Sequence, residues 1–209
     1  MDLIKNLEWR YATKKFDSNK KVSKENVDLL KRSIQLSASS YGLQLYKVLF
    51  IEDEALKKKL KTVSWDQPQI TDSSHLLVFC HYDDVDEKDV DEFIELKANT
   101  QGKDIEDLKQ FRDSIVSTVE SRSKEELQHW TAKQTYIALG HLLIAAAELK
   151  IDACPMEGFK PDEYNKILGL TEKGLSAAVI ATIGYRSGED EVQHLEKVRK
   201  SKDTLFEDL

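Results

Sequence analysis

The spacing of apolar residues changes from helical to strand-like within the first fifty positions. Residues 2–9 form a short amphipathic segment, and S-K-E-N from Ser23 supplies an N-cap and an early acid for a second helix. After this segment, apolar residues recur at helical spacing at Val27, Leu30 and Ile34. Small residues up to Gly42 break this period. We predict a helix that ends near residue 36, a turn, and a strand over 45–51, which is rich in branched and aromatic residues.

The middle of the chain alternates between buried and solvated patterns. Residues 54–63 predict a second amphipathic helix, and the almost continuous apolar run 75–82 predicts a strand covered on both faces. Residues 85–124 are highly charged, with sparse apolar positions at helical spacing, which is typical of a solvated helical excursion. The run 136–149 is apolar nearly all round, which places it in a core or an interface.

The last third predicts two strands, one helix and a tail. A short strand should start at residue 151 and turn into a loop by 158. Pro161 should open a helix that runs to Leu168, and 175–184 should form a strong strand. The charged tail ends with Leu205 and Phe206, two apolar residues that should dock on another surface. No repeat or linker stands out, so we expect one domain over 1–209.

Charge and composition narrow the classes of function. The chain has 209 residues, with 31 Lys and Arg against 38 Asp and Glu, so its net charge is −7. A chain this acidic is a poor candidate for binding nucleic-acid backbones, because its net charge repels their phosphates. Any phosphate that it binds must be held by a few local cations. There is no secretory h-region and no membrane-length apolar run, and Cys80 and Cys154 are far apart. We therefore expect a cytoplasmic protein with two reduced thiols and no membrane partner.

Familiar catalytic motifs are absent from the sequence. The histidines show no metal-ligand spacing, and there is no nucleophile elbow, P-loop or dinucleotide-binding glycine motif. Three cations near the chain ends, Arg10, Lys197 and Arg199, can together clamp a phosphate, although they can equally be ordinary surface charges. The segment 37–44 offers hydroxyl groups at a helix end, but by itself it is a turn.

Several short motifs, in order, resemble the nitroreductase family. They are R-Y-A-T-K-K-F-D at 10–17, S-A-S-S-Y-G-L-Q at 37–44, W-D-Q-P-Q-I at 65–70, K-Q-T-Y-I-A-L-G at 133–140, P-M-E-G-F at 155–159, I-G-Y-R at 183–186 and K-V-R at 197–199. Each motif is weak alone, but together they span the chain. The likeness is greatest to oxygen-insensitive NAD(P)H nitroreductases and the related dihydropteridine reductases.

The resemblance implies a fold, an assembly and a cofactor. The expected fold is α+β, with a central mixed β-sheet surrounded by helices, in an intertwined homodimer with a swapped C-terminal strand and FMN at the interface. The implied activity takes hydride from NAD(P)H and passes electrons to a small nitroaromatic, quinone or similar acceptor by a ping-pong mechanism. No side chain need act as an acid or base, and no metal is implied. The 85–124 excursion and Tyr41 are expected to line the acceptor pocket.

The resemblance also assigns residues to the flavin. Arg10, Ala12 through its backbone, Lys197 and Arg199 would hold the phosphate and ribityl chain. Lys14 would lie near N1 and the C2 carbonyl, where charge gathers on reduction. Tyr11, in the first motif, is a further expected contact. Around the ring, the resemblance places Asp66 and Gln69 at the pyrimidine edge, Pro155 and Met156 on one face, and the backbone amides of Glu157 and Gly158 near O4 and N5. The second subunit would contribute Ser39, Ser40, Gly42 and Gln44.

Some residues depart from the family pattern. Ala12 and Ala38 stand where relatives often carry Ser and Pro, Asp66 replaces a common Asn, and Gln69 replaces a lysine of some relatives. One cation fewer near the C2 carbonyl should make the flavin harder to reduce. Dihydropteridine reduction remains an alternative physiological role for an enzyme. The alternative outside the enzymes is a flavin-binding protein without turnover.

Overall fold

The computed structural model describes residues 2–209. Its α-helices are α1 (Asp2–Trp9), α2 (Lys24–Gln35), α3 (Glu54–Thr62), α4 (Gln69–Asp72), α5 (Glu87–Gln101), α6 (Lys109–Glu120), α7 (Lys124–Glu148), α8 (Pro161–Leu168) and α9 (Lys202–Leu205). Its strands are β1 (Tyr46–Ile51), β2 (His75–Tyr82), β3 (Asp152–Met156) and β4 (Leu175–Gly184). The helices and strands predicted from periodicity are present within about two residues of their expected bounds, except that the helix with the apolar run 136–149 begins earlier, at Lys124.

The four strands form one sheet in the order β1–β2–β4–β3, and each neighbouring pair is antiparallel. The resemblance implies a mixed sheet. In the described chain the parallel component is an isolated bridge between Ala12 and Ala153, beside β3. This bridge brings the segment after α1 to one edge of the sheet, while β1 forms the opposite edge. The α+β fold class is confirmed, and the swapped C-terminal strand stays a prediction.

Successive residues of β2 point to opposite faces of the sheet, and both faces are covered. Leu77 and Phe79 pack with α2 and α7, whereas Leu76 and Val78 pack with α3 and α8. All of these side chains are fully buried. A strand buried on both faces explains why residues 75–82 lack the polar alternation of a half-exposed strand.

Helix starts follow the capping residues seen in the sequence. The Ser23 hydroxyl accepts from the Asn26 N–H at 3.2 Å at the start of α2. A capping box between Ser123 and Glu126 opens α7. These side chains satisfy backbone donors that have no partner inside the helix, so they fix where each helix begins.

The 85–124 excursion is helical, as predicted, and consists of α5, α6 and a short 3-10 turn between them. A separate hydrophobic cluster that includes Val90, Ile94 and Ile115 holds it together. The excursion packs on the turn after α2, where the Tyr41 hydroxyl lies 3.1 Å from that of Thr118.

The tail after β4 carries its apolar residues on the outside. It contains a 3-10 turn (Glu191–His194), an extended stretch and α9. Leu205 and Phe206 are 61% and 67% exposed. They do not dock on any part of the chain over residues 2–209, so the predicted docking of the tail on another surface stays a prediction.

Candidate functional site

The two ends of the chain bring three cations together. Lys197 Nζ donates to the backbone carbonyls of Leu7, at 3.0 Å, and Arg10, which fixes the tail against the end of α1. A cavity of about 270 Å³ lies beside this contact and is lined by Trp9, Tyr11, Lys197 and Arg199, together with Glu8, Val192, Gln193, Leu195 and Glu196. We call Arg10, Lys197 and Arg199 the cation cluster.

Electrostatics indicate that the cation cluster suits an anion. Burial, and then the charge of Arg199, lowers the pKa of Arg10. Burial, followed by the charges of Arg10 and Arg199, lowers the pKa of Lys197. In addition, Arg10 Nε is buried without a hydrogen-bond partner in the described chain. A bound anion would offset the mutual repulsion and would give the unsatisfied donor an acceptor.

The segment that follows α1 is held in place by residues that were not predicted to bind the flavin. The Arg186 guanidinium stacks between the rings of Trp9 and Tyr11, with its Cζ 4.3 and 4.6 Å from their centroids. Its Nε donates to the buried Asp152 at 2.8 Å. Asp190, also buried, accepts from the Tyr11 hydroxyl at 2.9 Å. The I-G-Y-R motif contains Arg186, but the partners of these carboxylates are distant in sequence and leave no local signal.

Two other predicted residues lie on the same segment. Ala12 forms the backbone bridge to Ala153, which sets the segment alongside β3. The Lys14 side chain is exposed, while its N–H donates to Asp190 at 2.8 Å. The Lys14 ammonium is therefore available to a ligand that lies over the end of β3.

The end of β3 supplies an apolar surface beside this segment. Pro155 and Met156 line a cavity of about 410 Å³ with Tyr136 and Gly140 of α7, together with Leu139, Leu143, Glu157 and Val179. The Tyr136 hydroxyl donates to Glu157 Oε1 at 2.5 Å. Burial and this carboxylate raise the pKa of Tyr136 to about 12. A planar apolar ring system fits such a surface, with polar groups only at its edge.

The loop before α4 closes on the backbone after β3. Gln67 Nε2 donates to the Gly158 carbonyl at 2.8 Å, and a Cβ at Gly158 would lie 2.7 Å from Trp65 Cε3, so a larger residue there would require the Trp65 ring to move. Trp65 and Asp66 both have positive φ, of 53°. Gln69 is buried, and its Oε1 has no hydrogen-bond partner in the described chain. The predicted ring contacts thus lie on β3, on the loop after it, on this neighbouring loop and at the start of α4: Pro155, Met156, Glu157, Gly158, Asp66 and Gln69.

The remaining predicted residues lie elsewhere in the same chain. The Ser40 N–H donates to Gln134 Oε1 at 2.8 Å, and the Gln44 N–H donates to Ser39 Oγ at 3.0 Å. Gly42, with φ of 85°, lies against Phe93. Gln134 and Tyr136 are two residues apart on α7, which is about 200° around a helix. The segment 39–44 and the Pro155–Gly158 surface therefore lie on opposite sides of α7.

Comparison with known proteins establishes the family. The model of the Nitroreductase family matches residues 7–185. The chain is 31% identical, over 95% of its length and 93% of the relative's, to a Staphylococcus saprophyticus protein named Putative NAD(P)H nitroreductase. The chain belongs to the nitroreductase family, which confirms the resemblance stated above.

Solved structures share the fold. A Staphylococcus epidermidis protein named Putative NAD(P)H:FMN oxidoreductase matches with a TM-score of 0.87 and 21% identity, over 100% of this chain and 96% of that chain. A Putative nitroreductase from Exiguobacterium sibiricum, solved in complex with FMN, matches with a TM-score of 0.83 and 19% identity, over 99% and 97%.

The described residues show neither a metal-binding cluster nor a membrane-spanning helix. Residues 2–209 contain no group of three or more His, Cys, Asp or Glu placed to hold a metal ion. None of the helices in that range is long and apolar enough to cross a membrane.

Proposed function

We propose that this chain is an FMN-dependent NAD(P)H oxidoreductase. The observation that carries the proposal is the cation cluster, in which burial and then neighbouring cations lower the pKa of Arg10 and of Lys197, and Arg10 Nε has no hydrogen-bond partner in the described chain. The apolar surface at Pro155 and Met156 is the second part of the site. A phosphate joined to a planar ring system matches both parts of this site. The relatives named for NAD(P)H and FMN support the same cofactor and co-substrate.

The predicted residues divide between the two ends of FMN. Arg10, Lys197 and Arg199 would hold the phosphate, and the Ala12 backbone and Tyr11 would lie along the ribityl chain. Pro155, Met156 and the amides of Glu157 and Gly158 would contact the ring, with Asp66 and Gln69 at its pyrimidine edge. The buried, unpartnered Gln69 Oε1 is available to accept from a ring N–H. Bound FMN supplies the two-electron chemistry, and Lys14 places a positive charge near its pyrimidine ring.

We also propose that the active molecule is a homodimer. Ser39, Ser40, Gly42 and Gln44 lie across α7 from the ring surface of their own chain, so they can complete only the site of a second chain. On α7, Tyr136, Ile137 and Ile144 are 44%, 41% and 46% exposed, and nothing lies within 4 Å of the Cβ position of Gly140. This apolar stripe, with a glycine that allows close approach, is typical of a helix that packs against another subunit.

The acceptor should be a small planar molecule that replaces NAD(P)H on the ring, as in a ping-pong mechanism. Nitroaromatics and quinones have this shape and accept two electrons. Dihydropteridine reduction is the alternative physiological role, and flavin binding without turnover is the other alternative. The two buried free thiols, Cys80 and Cys154, are compatible with the cytoplasm, where we place the protein.

Flavin content and its response to nicotinamide test the proposal. The purified chain should show flavin absorbance and should bleach when NADPH or NADH is added without oxygen. Lys14→Ala and Arg199→Ala should lower FMN retention, whereas Lys202→Ala, on the exposed helix α9, should not. A yellow protein that never bleaches favours the binding alternative, and a colourless protein that rejects added FMN contradicts both.

A steady-state panel of quinones, nitro compounds and quinonoid dihydropteridine, with each nicotinamide, then identifies the acceptor. Turnover of the quinones and nitro compounds, with none of the pteridine, supports the proposed acceptor class. A kcat/KM for dihydropteridine that exceeds the others favours the alternative role. Parallel lines in double-reciprocal plots would support the ping-pong mechanism, and intersecting lines contradict it.

A further inference from the structure

One buried carboxylate ties together the two chain segments that carry the cation cluster. Asp190 is 1% exposed. Its Oδ2 accepts from the Tyr11 hydroxyl at 2.9 Å and from the N–H groups of Lys14 and Lys15 at 2.8 and 3.1 Å. Its Oδ1 accepts from the Val192 N–H at 3.2 Å. Donors from both ends of the chain therefore meet on a single side chain.

These bonds set the position of the cations without involving their charged groups. Arg10 lies next to Tyr11, and the chain that leaves Asp190 reaches Lys197 and Arg199 within nine residues. Close cations repel one another, so they need a scaffold that holds them before the anion arrives. A carboxylate with several charge-assisted hydrogen bonds is such a scaffold.

The charge state of Asp190 fits this role. Burial raises the pKa of its carboxyl, but the N–H groups of Lys15 and Lys14 and the Tyr11 hydroxyl outweigh burial, and the net pKa is lowered. The carboxylate is therefore ionised at neutral pH, with its oxygens occupied by donors rather than directed at a ligand.

We infer that Asp190 is a positioning residue for phosphate recognition, which makes the site prefer FMN over riboflavin, the same ring system without a phosphate. The inference rests on the proposed function. A carboxylate that only stabilised the fold would affect the binding of both flavins alike. A carboxylate that aligns the cation cluster affects FMN more than riboflavin, because riboflavin lacks the phosphate that those cations would hold.

The test compares the dissociation constants of FMN and riboflavin for the full chain, measured by flavin fluorescence. Asp190→Ala removes all four hydrogen bonds, and we expect FMN affinity to fall roughly tenfold or more while riboflavin affinity falls by a smaller factor. Asp190→Asn keeps a carbonyl oxygen for the three donors on Oδ2, so it should restore part of the FMN preference. Asp17→Asn, at a carboxylate that contacts Lys20 instead, is the matched control.

The outcomes separate this inference from the proposed function. If the unaltered chain binds neither flavin, the proposed function fails. Suppose instead that the unaltered chain binds FMN more tightly than riboflavin. If Asp190→Ala and Asp190→Asn then keep the FMN-to-riboflavin affinity ratio of the unaltered chain, the inference alone is overturned. If Asp190→Ala does not fold, Tyr11→Phe provides a second test, since it removes one donor to the same carboxylate and should lower the FMN-to-riboflavin ratio by a smaller factor.

Discussion

Lys57 is a fully buried lysine whose ammonium donates to one backbone carbonyl, that of Ser73, at 2.6 Å. Burial, followed by the charge of Lys21, lowers the pKa of Lys57 to about 8. The unfolded chain keeps the ordinary value near 10.5. Between these values the unfolded state binds more protons than the folded state, so the contribution of Lys57 to stability rises with pH.

The prediction is a difference in pH dependence between the unaltered chain and Lys57→Met. From pH 7 to pH 9.5, the free energy of unfolding of the unaltered chain should rise by about 2 kcal/mol relative to the variant. Urea denaturation at the two pH values measures this change. Lys58→Met, at the exposed neighbouring lysine, is the control and should show no such difference. Parallel pH curves for the unaltered chain and Lys57→Met would contradict the lowered pKa.

At this scale the sequence predicted part of the candidate site. The cation cluster could be predicted because cations in short polar segments can be recognised from the sequence alone. Asp190 and Asp152 do not stand out, since their roles depend on donors that are distant in sequence, Tyr11 for Asp190 and Arg186 for Asp152. The left-handed conformations of Trp65 and Asp66 were equally invisible, because non-glycine residues with positive φ carry no reliable local signal.

Among the elements, α7 combines a buried face and an exposed apolar face. Ala138, Leu142 and Ala146 are buried against the sheet, while Ile137 and Ile144 are exposed. The sequence predicted a helix for a core or an interface, and the folded chain accounts only for the core side. The strands were easier to predict, because β2 and β4 are continuous apolar runs whose lengths match their observed bounds.

Ile144→Glu tests the exposed face of α7. A carboxylate at a packed helix contact must lose its hydration, so we expect the dimer dissociation constant to rise by at least about a hundredfold. Sedimentation velocity measures the oligomeric state, and bound FMN should fall together with the dimer. Ile105→Glu, at a residue of similar exposure (50%) between α5 and α6, should leave both unchanged. A variant that stays dimeric places the interface elsewhere.

Over the whole molecule, the predicted site residues form two groups that one chain keeps apart. The cation cluster, the end of β3 and the loop before α4 form one group, and residues 39–44 form the other, across α7. Sequence order alone could not reveal this separation, because it arises from the path of the chain around the sheet. Within residues 2–209, the same path places β1 at one edge of the sheet and leaves the apolar end of the tail exposed.

The tail supplies the last prediction. Lys197 Nζ holds the first part of the tail against its own chain, so residues beyond it are the ones available to a partner. Burying Leu205 and Phe206 in each of two subunits would contribute about 1.5–3 kcal/mol per side chain. The double substitution Leu205→Asp and Phe206→Asp should therefore raise the dimer dissociation constant by at least about a hundredfold.

Sedimentation equilibrium at several concentrations measures this change in the tail variant. Because the variant keeps Lys197 and Arg199, FMN binding should recover at protein concentrations high enough to restore the dimer. That recovery distinguishes a lost subunit contact from a damaged phosphate site. Leu96→Asp, at a residue on α5 with similar exposure (64%), controls for the added charge. If the tail variant dimerises as the unaltered chain does, the tail makes no contribution to the interface.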